Sequence, residues 1–363
     1  MKHLHLQHTR YKPLIKAIDR KRYNKMKGFS IVICCYNSQN KIIETLEHIA
    51  LLEAENILLE VLVIDNGSND LTKIKADEFL KNTVINYTIL EEPKIGKANA
   101  LMLGCDSARY DKMIVCDDDV LLNSDYLVVA DKIYSDHPGI GILGGRGKLK
   151  TGIQTPDWFD IYGPAFAIGR QWGCSGDITS QKGYIWGAGS IINKKAWADI
   201  KNNGFTIFYT GLKAGNRAMA GEDAELGVWV VDAGYQLYYL EELVYIHNIS
   251  IDRINWSYLL QLQIGFSRSQ VYLNFLKAIL DCRRNKRDFN FNKYISDNIK
   301  LNFQSITYGF FSVNYFKSWW ISYMMHRVGY VKTIQQNDGY YKIKEYLLNR
   351  KTLKFIYNSI KLS

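Results

Sequence analysis

The sequence predicts an α/β fold, a Rossmann-like doubly wound sheet followed by a helical C-terminal extension. Three observations carry this expectation. From Phe29 onwards, short β-branched apolar runs alternate with stretches of helical composition, the pattern of strand–helix–strand units that build a parallel sheet. The polar motifs fall at the carboxyl ends of those runs, where open α/β sheets place their ligands. Beyond residue 250 the alternation gives way to a basic, aromatic chain without proline.

Each element has its own signal. The run Ser30–Cys35 (SIVICC) reads as a buried strand, and Asn40–Leu52 as the helix that follows. Leu58–Asp65 (LLEVLVID) is the next strand and Leu71–Asn82 the next helix. Then come the strand Val84–Leu90, a helix over Lys97–Ala108, the short strand Lys112–Cys116 (KMIVC), a helix near Ser124–Ser135 and the strand Ile140–Gly145. After Arg146 a loop-rich region with Gly, Trp and Tyr precedes a strand at Ser190–Asn193 and helices at Lys194–Lys201 and Glu222–Ala233. Ile254–Asp281 is helical in composition, and the tail reads as further helices. No internal repeat or low-complexity segment interrupts the chain.

Composition narrows the class. With 363 residues, 47% of them hydrophobic, the chain can bury one large or two medium cores. The longest aromatic stretch, Ile306–Tyr330, is broken by Lys317 and Arg327, so no transmembrane helix is expected. The N-terminus lacks the apolar core of a secretory signal, which places the expected location in the cytoplasm. Six cysteines without C-x-x-C spacing read as reduced thiols, Cys34, Cys35 and Cys116 among them in buried strands. The formal charge of +10 is unevenly spread: residues 1–28 carry 9 Lys/Arg against 1 acid, 283–363 carry 15 against 4, and 29–282 carry 22 against 31. An acidic centre between basic ends argues against a nucleic-acid cleft and for ends that meet an anionic surface, with solvated charge as the alternative.

The sharpest chemical feature is Asp117, Asp118 and Asp119, directly after a buried strand. Carboxylates ~4 Å apart repel by about 4 kcal/mol at an effective dielectric of 20, so the cluster calls for a cation. Mg²⁺ or Mn²⁺, held by few carboxylates plus phosphate oxygens, suits that arrangement, while an acidic turn at a helix start is the structural alternative. Asp65, followed by Asn66, Gly67, Ser68, Asn69 and Asp70, stands at a second strand end, where a carboxylate can accept a nucleobase N–H and Asp70 can cap the next helix. The same residues make an ordinary βα turn. Glu222 and Asp223 follow Gly221 in a first helical turn, a place for a general base or for plain surface acids. Lys97, after Gly96, can meet a phosphate near a helix start, and His247 closes an apolar strand-like run in which a core histidine is the default. Gly139, Gly141 and Gly144 match G-x-G-x-x-G but lie in a strand, the wrong context for a dinucleotide site.

Taken in order, CCYN (Cys34–Asn37), EVLVIDNGSNDLT (Glu60–Thr72), GKANALMLG (Gly96–Gly104), VCDDDVLLNSDYL (Val115–Leu127), WGAGSIINKKAW (Trp186–Trp197), GEDAELGVWVVDAGYQLYY (Gly221–Tyr239) and VYIH (Val244–His247) resemble the bacterial family-two glycosyltransferases over about residues 29–250. The resemblance implies a GT-A type fold and inversion at the anomeric carbon of a nucleotide-diphosphate sugar. It places Tyr36 on the base, Asp65 at its imide, and Asp118 near the ribose or phosphates. It gives Asp119, with Asp117 directly or through water, and His247 to a Mn²⁺ or Mg²⁺ ion. Asp223 matches the family's base with Glu222 beside it, and Trp186 and Gly187 border the sugar and acceptor. Two departures stand out: cysteines at 34 and 35 replace the usual Pro or Thr, and Asn66 replaces the second of two aspartates.

The expected organisation is a basic segment 1–28, a catalytic domain 29–250 with a nucleotide half (29–145) and an acceptor half (146–250), and a helical region 251–363. A saccharide or lipid-linked acceptor in cell-surface polysaccharide synthesis fits this layout. Arg283, Arg284, Lys286 and Arg287, followed by Phe310, Phe311, Tyr315, Phe316, Trp319 and Trp320, would hold such an enzyme at the anionic inner face of the cell membrane, although packing on the catalytic domain or a homodimer contact explains the same residues. A sugar-nucleotide pyrophosphorylase is the nearest rival, but its Gly-rich basic signature would stand where Tyr36–Asn37–Ser38 does. A non-catalytic carbohydrate-binding protein of the same fold is the second.

Overall fold

The computed structural model describes residues 28–207, 221–287 and 293. The basic N-terminal segment with its histidines, and the aromatic tail assigned to membrane or dimer contact, lie outside the described residues.

The first half follows the expected alternation. Strand β1 (Phe29–Cys35) leads to helix α1 (Ile42–Ala50), β2 (Leu59–Asp65) to α2 (Thr72–Leu80), and β3 (Asn86–Glu91) to α3 (Lys97–Ser107). Then come β4 (Lys112–Asp117), the three-residue β5 (Val120–Leu122), α4 (Tyr126–Asp136) and β6 (Ile140–Leu149). The second half adds the short α5 (Phe159–Tyr162), β7 (Gly176–Asp177), β8 (Ile191–Asn193), α6 (Lys194–Asn202), α7 (Glu222–Asp232), β9 (Gln236–His247) and the long α8 (Trp256–Arg284).

Among the described residues nine strands join one sheet in the order β3-β2-β1-β4-β8-β6-β9-β5, with β7 on β9. The β3-β2-β1-β4 portion is parallel, as expected. In the remainder β6 and β9 are parallel, whereas β8 runs antiparallel between β4 and β6, and β5 and β7 lie antiparallel to β9. The sheet is therefore mixed. Strand periodicity splits its side chains between two cores. Val32, Leu62 and Ile64 pack with α3, α6, α7 and α8, whereas Ile31, Ile33, Val61 and Val63 pack with α1, α2 and α4. Each such fully buried aliphatic side chain contributes about 1.5–3 kcal/mol, enough in sum to fix the register that brings the strand ends together.

Helix α8 is tied to α7 near both ends. Tyr272 donates its hydroxyl proton to Glu225 at 3.0 Å, and Arg283 pairs with Asp232. The start of α7, which carries Glu222 and Asp223, is thus braced by an element outside the sheet. Among the described residues no helix is long and apolar enough to cross a membrane. No disulfide joins the six cysteines; Cys35, Cys105 and Cys116 are buried, Cys174 is exposed, and burial pushes the Cys34 thiol up to about 12.

Candidate active site

Parallel pairing places the candidate residues side by side. Cys35 stands opposite Asp65 and Cys34 opposite Asp117, so the turns after β1, β2 and β4 open onto one edge. Ser38 and Asn37 stitch these turns together. Ser38 N–H donates to Thr72 Oγ1 at 2.6 Å, Asn37 N–H to Ser68 Oγ at 2.9 Å, and Asn37 Oδ1 accepts from Asn69 N–H at 2.9 Å. Asp70 accepts from Thr72 N–H at 2.9 Å and from Gln39 N–H at 3.1 Å; it stands one residue before the N-cap, Leu71, rather than at the cap position expected of it. Tyr36 is left 47% exposed above this turn, free to cover a planar ligand. Asp65 is buried at the foot of a cleft of about 650 Å³ that also contains Gly67, Ser68, Lys73 and Glu92.

The departure at position 66 has a structural reason. Asn66 is buried; its amide nitrogen donates to the carbonyls of Glu92 at 2.9 Å and Lys94 at 3.0 Å, while its oxygen accepts from Gly96 N–H at 2.7 Å. An aspartate would put a second acceptor against two carbonyls. This clasp fixes the loop that ends at Gly96, whose φ of 134° suits glycine and starts α3 with Lys97 in its first position. Asn66→Asp is accordingly expected to lower stability by about 1–3 kcal/mol in a denaturant melt, the usual cost of an unmet buried donor–acceptor pair. An unchanged midpoint would refute the clasp.

The three aspartates do not form a solvated acidic turn. Each has a different partner. Asp117 Oδ1 lies 2.6 Å from Lys97 Nζ. Asp118 accepts from the Ser38 hydroxyl while its carbonyl accepts from Thr45 Oγ1 at 2.8 Å; burial and the neighbouring Asp119 push its carboxyl up to about 6. Asp119, 4% exposed, meets Lys41 Nζ at 2.9 Å, His247 Nε2 at 3.3 Å and Arg253 Nη1 at 3.7 Å. Burial opposes its ionisation, yet His247 and Lys41 outweigh that and hold it well below the usual carboxylate range.

His247 reaches Asp119 because β5 pairs with β9 in a register that sets Val120 opposite His247. Its Nδ1 is 2.9 Å from the carbonyl of Phe166, an acceptor that requires an N–H there. The other ring nitrogen then faces a carboxylate oxygen, an arrangement completed by a proton or by a metal ion, and one in which the carbonyl orients the imidazole as it does in metal sites. The donor set of Asp119 and His247 fits Mn²⁺ or Mg²⁺, provided phosphate oxygens and water complete it. Asp117 does not join them: among the described residues no three such ligands cluster, since Asp117 faces Lys97.

Lys97 is the hinge of the site. Besides Asp117 it lies 3.8 Å from Glu222 Oε1, so one ammonium bridges the end of β4 and the start of α7. Burial lowers its basicity, but Asp117 and Glu222 more than reverse this, and it remains charged. Gly221, with φ 136°, turns the chain into α7 and leaves Glu222 and Asp223 in the first turn. Asp223 accepts from Ala224 N–H at 2.7 Å, and burial with the adjacent Glu222 pushes its carboxyl up to about 6 despite that bond. Lys97, Gly187, Glu222 and Asp223 line a single small pocket, and Trp186 is buried beside it with its N–H on Gln171 Oε1 at 2.8 Å.

Sequence reasoning missed Ser38, Lys41 and Arg253. Ser38 and Lys41 follow β1 at a strand end, a signal that was available. Arg253 was not legible, because it depends on β9 returning beside β5.

Residues 30–180 match the model of glycosyl transferase family 2. A poly-beta-1,6-N-acetyl-D-glucosamine synthase of Staphylococcus epidermidis is 27% identical over 187 residues, which is 50% of this chain and 43% of that protein. The synthase of the same description from Staphylococcus aureus strain MSSA476 is 25% identical over 183 residues, 49% of this chain and 42% of that one. The chain therefore spans less than half the length of these relatives. Among solved structures, the mannosyltransferase PcManGT from Pyrobaculum calidifontis, in complex with GDP-Man and Mn²⁺, superposes with a TM-score of 0.50 at 15% identity, covering 94% of this chain and 87% of that one. That likeness concerns the fold, which is a GT-A type α/β fold. By the match over residues 30–180 and the order of its motifs, the chain is similar to the family-two glycosyltransferases.

Proposed function

We propose that the chain is an inverting glycosyltransferase that moves a sugar from a nucleotide diphosphate, with a UDP-sugar as the expected donor, onto a saccharide or lipid-linked acceptor in cell-surface polysaccharide synthesis. The observation that carries this reading is the Lys97 bridge, which joins Asp117 at the end of β4 to Glu222 at the start of α7, in a pocket that Asp223 also lines. The names of the relatives support it, since they are polymer synthases built on an amino sugar.

In this reading residues 29–145 bind the nucleotide and 146–250 the acceptor. Tyr36 covers the base and Asp65 accepts its N–H from the cleft floor. Asp118, anchored by Ser38, takes the ribose or phosphate side. Lys97 and Lys41 supply positive charge where the diphosphate lies. Asp119 and His247 would hold Mn²⁺ or Mg²⁺, with Asp117 through water, and the ion when bound offsets charge on the leaving diphosphate. Asp223 removes the proton from the acceptor hydroxyl as that oxygen attacks the anomeric carbon from the face opposite the diphosphate. The C1–O bond to the acceptor forms as the C1–O bond to phosphate breaks, in one displacement. Glu222 stays on Lys97 and orients it.

The test is nucleotide diphosphate release from a panel of UDP- and GDP-sugars with Mn²⁺, with and without chelator. Release from a matching donor, lost in chelator, is expected. Because the base must be ionised and its carboxyl is pushed up to about 6, the rate should rise as pH increases through about 6 and level off above it. Pyrophosphate made from a nucleoside triphosphate and a sugar 1-phosphate would instead establish the pyrophosphorylase reading.

A further inference from the structure

Among the described residues, Lys182 has no carboxylate at ion-pair distance, although it lies within electrostatic reach of Asp223. Lys182 Nζ lies 4.5 Å from the centroid of the Tyr184 ring and 4.4 Å from that of the Trp186 ring. Its polar partner is Gln171 Oε1 at 3.3 Å. Gln171 is itself buried and immobilised, accepting from Trp186 N–H at 2.8 Å and donating to the carbonyl of Gly145 at 2.9 Å. The ammonium is therefore held in place by a rigid frame. Two ring faces attract a cation, but they do not replace lost hydration as a carboxylate would.

The electrostatics agree with that picture. Burial pulls the Lys182 ammonium down to about 8, and Asp223 only partly restores it. Asp223 acts on Tyr184 as well, and the backbone sets this loop beside α7: a side chain begun at Gly187 would stand 3.7 Å from Asp223 Cβ, and one begun at Gly227, a turn further along the helix, 3.3 Å from Tyr184 Cα. A second ammonium without a described carboxylate partner, Lys277 on α8, stands 3.8 Å from where a side chain at Gly183 would begin, and partial burial lowers its basicity too. A half-buried ammonium such as Lys182 is only partly hydrated in the free protein and is stabilised when an anion arrives, with the exposed Lys277 adding positive charge nearby.

We infer that Lys182 and Tyr184, backed by the buried Trp186, form an acceptor subsite for a saccharide that carries a negative charge, its ring against the exposed Tyr184 side chain and its carboxylate or phosphate on Lys182. The reacting hydroxyl of that saccharide then lies toward Asp223. The inference rests on the transferase reading only for what the bound saccharide goes on to do, and the two are separable by experiment.

The test titrates the full chain with methyl glycosides of glucuronate, galacturonate and mannuronate, with the 6-phosphates of glucose, galactose and mannose, and with the neutral parent glycosides, read by tryptophan fluorescence and calorimetry. At least one charged probe should bind roughly tenfold or more tighter than its neutral parent, the increment expected of one charge-assisted hydrogen bond. Whether uronates or 6-phosphates gain more identifies the charged group. Lys182→Met should erase the preference and Lys182→Arg should keep it. Neutral parents that bind as well as every charged probe, no binding of any charged probe, or a preference that survives in Lys182→Met would overturn the subsite. If Lys182→Met does not fold, the wild-type preference decides alone. UDP and GDP titrated with Mn²⁺ into the same preparation report on the donor site. A charge preference without nucleotide binding keeps the subsite and removes the transferase reading, and nucleotide binding without the preference does the reverse.

Discussion

Asp223→Asn is expected to lower turnover by about 10²–10⁴ while making the folded chain more stable. The rate effect follows from the proposed chemistry, since an amide keeps the shape of the side chain and its bond from Ala224 N–H but cannot take a proton. The stability effect follows from the raised ionisation. Asp223 is pushed up to about 6, first by burial and then by Glu222. A carboxyl whose folded value lies above its unfolded one favours the fold when protonated, and that contribution is lost as pH rises through the folded value. At neutral pH the ionised group therefore costs the native state about 1–3 kcal/mol, which a neutral isostere removes. Melting temperatures of wild type and variant should converge near pH 4 and separate, variant above wild type, between pH 5 and 7. Loss of activity with equal or lower stability at pH 7 would point to a structural aspartate. Normal turnover in Asp223→Asn with a crippled Glu222→Gln would move the base to Glu222.

The parts of this fold that the sequence made legible are those in which local pattern and long-range pairing agree. Ser30–Cys35, Leu58–Asp65 and Lys112–Cys116 are β-branched runs ended by polar turns, and parallel βα units need nothing further to align their carboxyl ends. The second half obeys no such rule. Strand β9 carries Glu241 and Glu242 in its middle, which breaks the alternation, yet both find cations or hydroxyls: Glu241 pairs with Arg146 and Arg170, and Glu242 accepts from Ser175. Strand β5 is three residues long and strand β8 equally short, below the length at which periodicity speaks. Their antiparallel placement is set by tertiary contacts alone. The candidate site inherited this division. Asp65, Asp117, Asp118 and Asp119 were found as strand ends, whereas the partners that distinguish one aspartate from the next come from helix starts and from β9. A triplet that reads as one metal-binding cluster is, in the folded chain, three carboxylates facing Lys97, Ser38 and the group of Lys41, His247 and Arg253.

That division sets the expectation for Asp119. Asp119→Asn should abolish metal-dependent binding of a nucleotide diphosphate and also destabilise the protein, two losses that a solvated loop aspartate would not produce together. The first loss reflects the donor set: with Asn the site keeps His247 but loses the carboxylate charge that Mg²⁺ and Mn²⁺ favour. The second reflects the cations already assembled around this side chain. Asp119 is 4% exposed and holds the Lys41 ammonium and the Arg253 guanidinium within 4 Å, beside the His247 ring, so a neutral amide leaves two positive groups facing one another without a counter-charge. Lys41 and Arg253 are partly exposed and can turn to solvent, which limits the cost to about 1–3 kcal/mol, less than for a fully buried pair. Asp118 responds in the opposite sense, because the Asp119 charge is one of the causes that hold its carboxyl high and removing it lets Asp118 ionise more easily. Lys41→Met separates the two effects, since it removes a cation from Asp119 without touching the proposed ligands. It should preserve a Mn²⁺ requirement for UDP binding, whereas Asp119→Asn should bind UDP with the same weak affinity in Mn²⁺ and in chelator. Calorimetric titration of UDP into the three proteins decides it: Mn²⁺-dependent binding retained by Asp119→Asn would remove this carboxylate from the metal site.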